Sequence, residues 1–148
     1  MAKTTVPAQP VLADLLGFQL RRVSAQSMAE LEKSLADLDL RTIHYTVLAT
    51  VTSHPRITQN DICRAIHVRP ANLVPIVREL VDRELIVRRP DPTDKRIVRI
   101  SLAPAGEALI SELHRRVLEH EDRYLQPLSA DERASLMRLL MRLGTSPD

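Results

Sequence analysis

The sequence predicts a mainly α-helical chain carrying one small β-hairpin, and three observations support that reading. Apolar residues recur at three- and four-residue spacing through most of the chain. One β-branched stretch, residues 85–102, breaks that rhythm around a Pro- and Asp-rich turn. Only three glycines and three aromatic residues (Phe18, Tyr45, Tyr124) interrupt a composition rich in Leu, Val, Ile and Ala, which favours helices. The 148 residues, 44% hydrophobic and 27% charged, fit a single globular domain and exclude disorder throughout.

Residues 1–10 contain two prolines and little periodicity, so they read as a flexible arm before a single domain over 11–148. Leu12, Leu15, Leu16, Leu20, Val23, Met28, Leu31 and Leu35 then predict one long amphipathic helix over about 11–36. Asp39 is the expected cap of a second helix, which carries Ile43, Val47, Leu48 and Val51 on one face and stops at His54-Pro55. Thr58 and Asp61 form a variant capping box that opens a short third helix to about Ile66. After a turn at residues 67–69, Pro70 suits the first position of a fourth helix, with Leu73, Ile76, Val77 and Leu80 as its apolar stripe. Two helices joined this closely make a helix-turn-helix.

The residues from Leu85 to Arg89 and from Arg96 to Leu102 read as the two strands of a hairpin. Pro104 starts another long helix, with Leu109, Ile110, Leu113, Val117 and Tyr124 inward, which ends at Gln126-Pro127. Ser129 and Glu132 cap a last helix through Leu143. Helix, turn, helix and basic hairpin in that order make a winged helix-turn-helix over about 40–102.

Charge follows the same layout. Residues 56–99 hold ten Lys and Arg against six Asp and Glu, leaving +4, while the remainder carries −2. A basic unit in a neutral scaffold suits duplex DNA, because phosphate attraction is local and screened within about 10 Å. A major groove about 12 Å wide admits one helix, and the hairpin beside it reaches backbone or minor groove. Arg69, Ala71 and Asn72 cluster at the N-terminal end of the fourth helix, where Arg can pair with guanine and Asn with adenine. Lys95 and Arg96 fall at the hairpin tip, flanked by Arg88, Arg89 and Arg99. Asp94 is spaced to hold the Arg96 guanidinium by a charge-assisted hydrogen bond.

The stretch from Leu85 to Arg96, followed by Leu102-Ala103-Pro104-Ala105-Gly106, resembles the wing signature of the multiple-antibiotic-resistance regulator (MarR) family. Leu40, His44 and Leu48 fall where that family has its Leu-x-x-x-Gln-x-x-x-Leu helix, and the helix order is similar over nearly the whole chain. The resemblance implies a homodimer joined by the helices over about 11–36 and 104–143, a near-palindromic operator, and repression relieved by a small effector. By position, Arg69, Pro70, Ala71 and Asn72 would face the major groove and Arg96 the minor groove. Asp94 would position the wing, and Thr58 and Gln59 would meet phosphate. The implied effector is an aromatic carboxylate or its coenzyme A thioester, with Phe18, Arg22, Arg41, His44 and Tyr45 as candidate lining groups. Three residues depart from the family pattern. Glu84 replaces a Gly that would supply a left-handed turn, Ala103 replaces a Thr cap, and Pro75 interrupts the recognition helix, where a local distortion is expected.

No catalytic residues, cofactor or metal are expected. Cys63 reads as a packed thiol, the five histidines lack ligand spacing, and no phosphate loop or nucleophile elbow occurs. With one cysteine and no apolar run near 20 residues, a cytoplasmic location without a membrane span is expected. Two other readings stay open. One is a winged-helix adaptor that binds proteins without an effector, and the other an enzyme using His44 with Arg41.

Overall fold

The computed structural model describes residues 10–144, so the expected arm lies outside the described residues up to Pro10, which begins a helix. The elements are α1 (Pro10–Ala13), α2 (Leu16–Leu35), α3 (Thr42–Ser53), β1 (Ile57–Thr58), α4 (Gln59–Ala65), α5 (Pro70–Asp82), β2 (Ile86–Pro90), β3 (Val98–Leu102), α6 (Pro104–Tyr124) and α7 (Ala130–Gly144). The chain is therefore mainly helical, with a winged helix-turn-helix at its centre.

Three expectations need correction. The first helix is two helices, because Leu15 takes an extended conformation and Gln19 Nε2 donates to the Ala13 carbonyl (2.6 Å), which would otherwise be left open at the end of α1. Apolar spacing does not register such a break, since both segments keep their apolar residues in phase. Asp39 does not cap α3 either. It sits in the left-handed region (φ 52°) and closes a 3₁₀ turn over Ala36–Leu38. The α3 start is satisfied by Glu32, whose Oε1 accepts from the Thr42 N–H (3.1 Å) and hydroxyl (2.8 Å), and by His44 Nδ1, which accepts from the Arg41 N–H (3.0 Å). The hairpin is one part of a three-stranded antiparallel sheet ordered β1-β3-β2, with Ile57 opposite Ile100 and Thr58 opposite Arg99. A two-residue strand is too short to carry an alternation signal. The helix α5 continues through Pro75, which lacks the N–H that would have reached the Ala71 carbonyl.

Leu35, Leu48, Ile62, Leu73, Leu80 and Leu113, each fully buried, bring α2 to α6 into one core with Ile86 and Ile100 of the sheet. Burial of each such side chain contributes roughly 1.5–3 kcal/mol. Polar ties fix the long helices further. Arg116 of α6 donates to the Ser34 carbonyl (2.8 Å) and to the Asp37 carboxylate (2.5 Å), and Tyr124 donates to the Val23 carbonyl (3.0 Å). Ala103 caps α6 without a side-chain hydrogen bond, and three residues on Gly106 meets the chain just before β2. A Cβ at Gly106 would lie 2.0 Å from the Leu85 carbonyl oxygen, so only glycine fits that crossing. Leu85 O also accepts the Ala103 N–H (3.0 Å).

Candidate nucleic-acid interface

Thr58 opens the helix-turn-helix as expected. Its hydroxyl accepts from the Asp61 N–H (3.2 Å) and donates to the Asp61 carboxylate (2.5 Å), so the side chain serves the cap; Gln59 follows it, half-buried. The turn between α4 and α5 passes through His67 at φ 53° and is closed by Val68 N–H on the Cys63 carbonyl (3.0 Å). Arg69 then caps α5 in an extended conformation and Pro70 occupies its first turn. Leu73, Ile76, Val77 and Leu80 face the core, which leaves Ala71, Asn72, Val74, Pro75 and Arg78 outward. Arg69, Pro70, Ala71 and Asn72 are all exposed, and the Arg69 and Asn72 side chains have no hydrogen-bond or ion-pair partner among the described residues.

The other end of α5 is anchored. Arg83 donates to the carbonyls of Asp39 (2.6 Å) and Leu38 (2.9 Å). Glu79 Oε2 accepts from Arg41 (3.3 Å) and lies 3.1 Å from Nε2 of the buried His44. Because Nδ1 of His44 already accepts an N–H, Nε2 carries the proton and donates to Glu79. Burial pushes the His44 imidazole below its ordinary value, against the pull of Glu79. Burial pushes the Glu79 carboxyl up, but His44 and Arg41 outweigh it and leave it below its usual value.

In the wing, Asp94 Oδ1 accepts from the Arg96 N–H (3.0 Å) and Nε (3.0 Å), while Oδ2 accepts from the far guanidinium nitrogen (2.9 Å). This bidentate grip holds the Asp94 carboxyl below the usual range and raises Arg96. The Arg96 side chain is nonetheless 91% exposed, so one edge of its guanidinium is held by Asp94 while the rest faces solvent. Arg88, Arg89 and Lys95 are exposed and unpaired among the described residues. Arg99 differs from its expected neighbours: it is tied to Asp91 (Nε to Oδ2, 2.7 Å). Asp91 is buried and collects several donors, a node the sequence reading missed although Asp followed two residues on by Thr is a turn signature.

The five candidate effector residues are not gathered into one site. Arg41 and His44 are engaged with Glu79, and the exposed Arg22 donates to Gln19 (3.1 Å). Phe18 sits half-buried on α2. Tyr45 hydrogen-bonds His114 Nδ1 (2.9 Å) and borders a recess of about 320 Å³ with Ala49, Thr52, Ile110 and His114, which none of the other four lines. Among the described residues, no group of three or more His, Cys, Asp and Glu could hold a metal, and no helix is long and apolar enough to cross a membrane.

The MarR family model matches residues 37–97, the span of the helix-turn-helix and wing. A crystal structure of a probable transcriptional regulator from Pseudomonas aeruginosa is 31% identical, with 89% of this chain and 98% of that chain covered and a TM-score of 0.82. This chain belongs to the MarR family. Like other MarR members it is a DNA-binding transcriptional regulator rather than an enzyme. The repressor NicR from Pseudomonas putida is 27% identical over all of this chain and 98% of its own. CouR from Rhodococcus jostii RHA1, solved bound to p-coumaroyl-CoA, is 26% identical with a TM-score of 0.82, covering 95% of this chain and 99% of that one. CouR bound to a 23-mer DNA duplex superposes with a TM-score of 0.86 over the same shares.

Proposed function

We propose that this MarR-family regulator is a homodimeric repressor that reads a near-palindromic operator and releases it on binding an aromatic carboxylate or its coenzyme A thioester. The observation that carries the reading is the pairing of two open, differently built contacts. Unpartnered Arg69 and Asn72 stand at the start of α5, and Arg96 is braced by Asp94 at the wing. The first suits base edges and the second a narrow minor groove. Pro70 and Ala71 keep that helix start slim enough to approach the bases, while Gln59, Arg88 and Lys95 serve phosphates. In this reading residues of about 40–102 form the DNA-reading unit, and the helices on either side join two copies.

Support for the dimer comes from exposed leucines. Leu16 and Leu20 of α2 with Leu136, Leu139, Leu140 and Leu143 of α7 border an apolar groove of about 510 Å³ that one copy leaves uncovered. Support for the effector class comes from the CouR complex with p-coumaroyl-CoA, and for repression from the names of NicR and CouR. Here the recess between α3 and α6 offers an aromatic ring and an imidazole, Tyr45 and His114, to a small acid.

The test is a gel shift on the DNA adjoining the gene, repeated with a panel of aromatic acids and thioesters. Unaltered protein should bind tightly at low salt and be released by at least one compound. Arg69→Ala and Asn72→Ala should each relax base preference by about 1–3 kcal/mol, roughly fivefold to 150-fold. Retained operator discrimination in both variants, or no binding at all at low salt, would overturn the assignment.

A further inference from the structure

Asp91 lies where β2 ends and the wing loop begins, and its residue surface is 6% exposed. One carboxylate oxygen accepts from the Thr93 N–H (2.9 Å), the Thr93 hydroxyl (2.6 Å) and the Asp94 N–H (3.4 Å). The other accepts from Arg99 Nε (2.7 Å) and pairs with Arg56 (3.6 Å). The Asp91 N–H donates to the Ile97 carbonyl (2.8 Å), closing the loop on itself. Arg99 in turn donates to the Arg56 carbonyl (3.4 Å), and Arg56 holds the left-handed region at φ 64°. Two residues on, Thr58 caps α4. A single carboxylate thus links the base of the wing to the turn that feeds the helix-turn-helix.

The same carboxylate sets a charge pattern. Arg89 stands directly opposite Arg99 across the β2–β3 ladder, where like charges repel. Among the basic residues of this region, Arg64, Arg78 and Arg96 each pair with a nearby carboxylate, and Arg56 and Arg99 share Asp91. Arg69, Arg88, Arg89 and Lys95 stay unpaired among the described residues. We propose that Asp91 is a positioning residue that clamps the wing to the entry of the helix-turn-helix and withholds Arg56 and Arg99 from phosphate, so that it favours operator over arbitrary DNA. This rests on the reading of the wing as a DNA contact. Released from Asp91, the two guanidiniums would add sequence-independent attraction, while a wing no longer tied at its base would hold Arg96 less firmly. Both effects narrow the gap between specific and non-specific binding.

Asp91→Asn is the test, since an amide oxygen still accepts from Thr93 while the negative charge that holds Arg56 and Arg99 is lost. Dissociation constants are measured across a salt series on two duplexes of equal length, one selected from a random pool by the unaltered protein and one unrelated. The operator-to-unrelated ratio should fall about tenfold or more, and log K against log salt on the unrelated duplex should steepen by about one to two. Adding Arg56→Gln to that variant should reverse part of the steepening. Arg56→Gln alone, at an exposed side chain the fold tolerates, should leave affinity for the unrelated duplex unchanged, which keeps the proposal testable if Asp91→Asn folds poorly. A loss of that affinity would show Arg56 already on phosphate and overturn it. An unchanged ratio and slope in Asp91→Asn, beside an Arg96→Ala that weakens binding, would sink the clamp and spare the wing reading. An Arg96→Ala with no effect on either duplex would remove the wing reading and this proposal together.

Discussion

His44 shows how much one side chain can hold in place. Its two ring nitrogens face different elements: Nδ1 closes the start of α3, and Nε2 donates to Glu79 on α5. The bond at Nδ1 requires the neutral ring, because protonation would turn that acceptor into a donor facing an N–H. The imidazole is held below its ordinary value of 6.5, so the unfolded chain takes up the proton first. Stability is therefore full above about pH 6.5 and declines as the pH falls through that value toward the folded one. Urea unfolding at about pH 7.5 and pH 5 should show the loss. His44→Gln, which keeps an acceptor for the α3 start and an N–H for Glu79, should flatten the part of the difference that arises near pH 6. An equal decline in that variant would place the titration elsewhere.

At the scale of elements, α5 ends in a way its last residues do not favour. The Glu84 N–H reaches the Val81 carbonyl (2.9 Å) and the Leu85 N–H the Leu80 carbonyl (2.9 Å), a left-handed termination with glutamate at φ 56°. An L-residue with a Cβ pays about 1–2 kcal/mol for that conformation, partly offset by the greater freedom glycine has when unfolded. Glu84→Gly should raise stability by about 1 kcal/mol, seen as a higher urea midpoint with unchanged slope. The helix-turn-helix and wing were legible because their signals are local. Thr58 and Asp61, Pro70, the stripe from Leu73 to Leu80 and the Asp94–Arg96 spacing each bring together residues at most ten apart. What escaped the reading depends on tertiary partners. Glu32 caps α3 from α2, β1 exists only because β3 pairs with it, and Asp91 earns its place through Arg56 and Arg99. Two of the candidate effector residues, Arg41 and His44, have a tertiary partner of the same kind in Glu79 of α5.

For the whole molecule, the proposed dimer would use the exposed leucines of α2 and α7 to tie DNA reading to assembly. Two weak half-site contacts become one strong one only when the copies are linked. Leu140→Asp, at a side chain 39% exposed and outside the core of one copy, should leave helical content intact and shift sedimentation from dimer to monomer. Affinity for a two-half-site duplex should fall at least tenfold, while a single half-site is bound as before. A variant that stays dimeric would remove α7 from the joint.

The crossing of Gly106 over Leu85 bears on how a signal could travel through such an assembly. With no room for even one more carbon, α6 and the chain that launches β2 are in direct backbone contact there. A compound wedged beside Ile110 or His114 sits barely two turns farther along that same rod. In the proposed effector reading, a tilt forced there would pass into the root of the wing, as the handle of a wrench moves with its jaw.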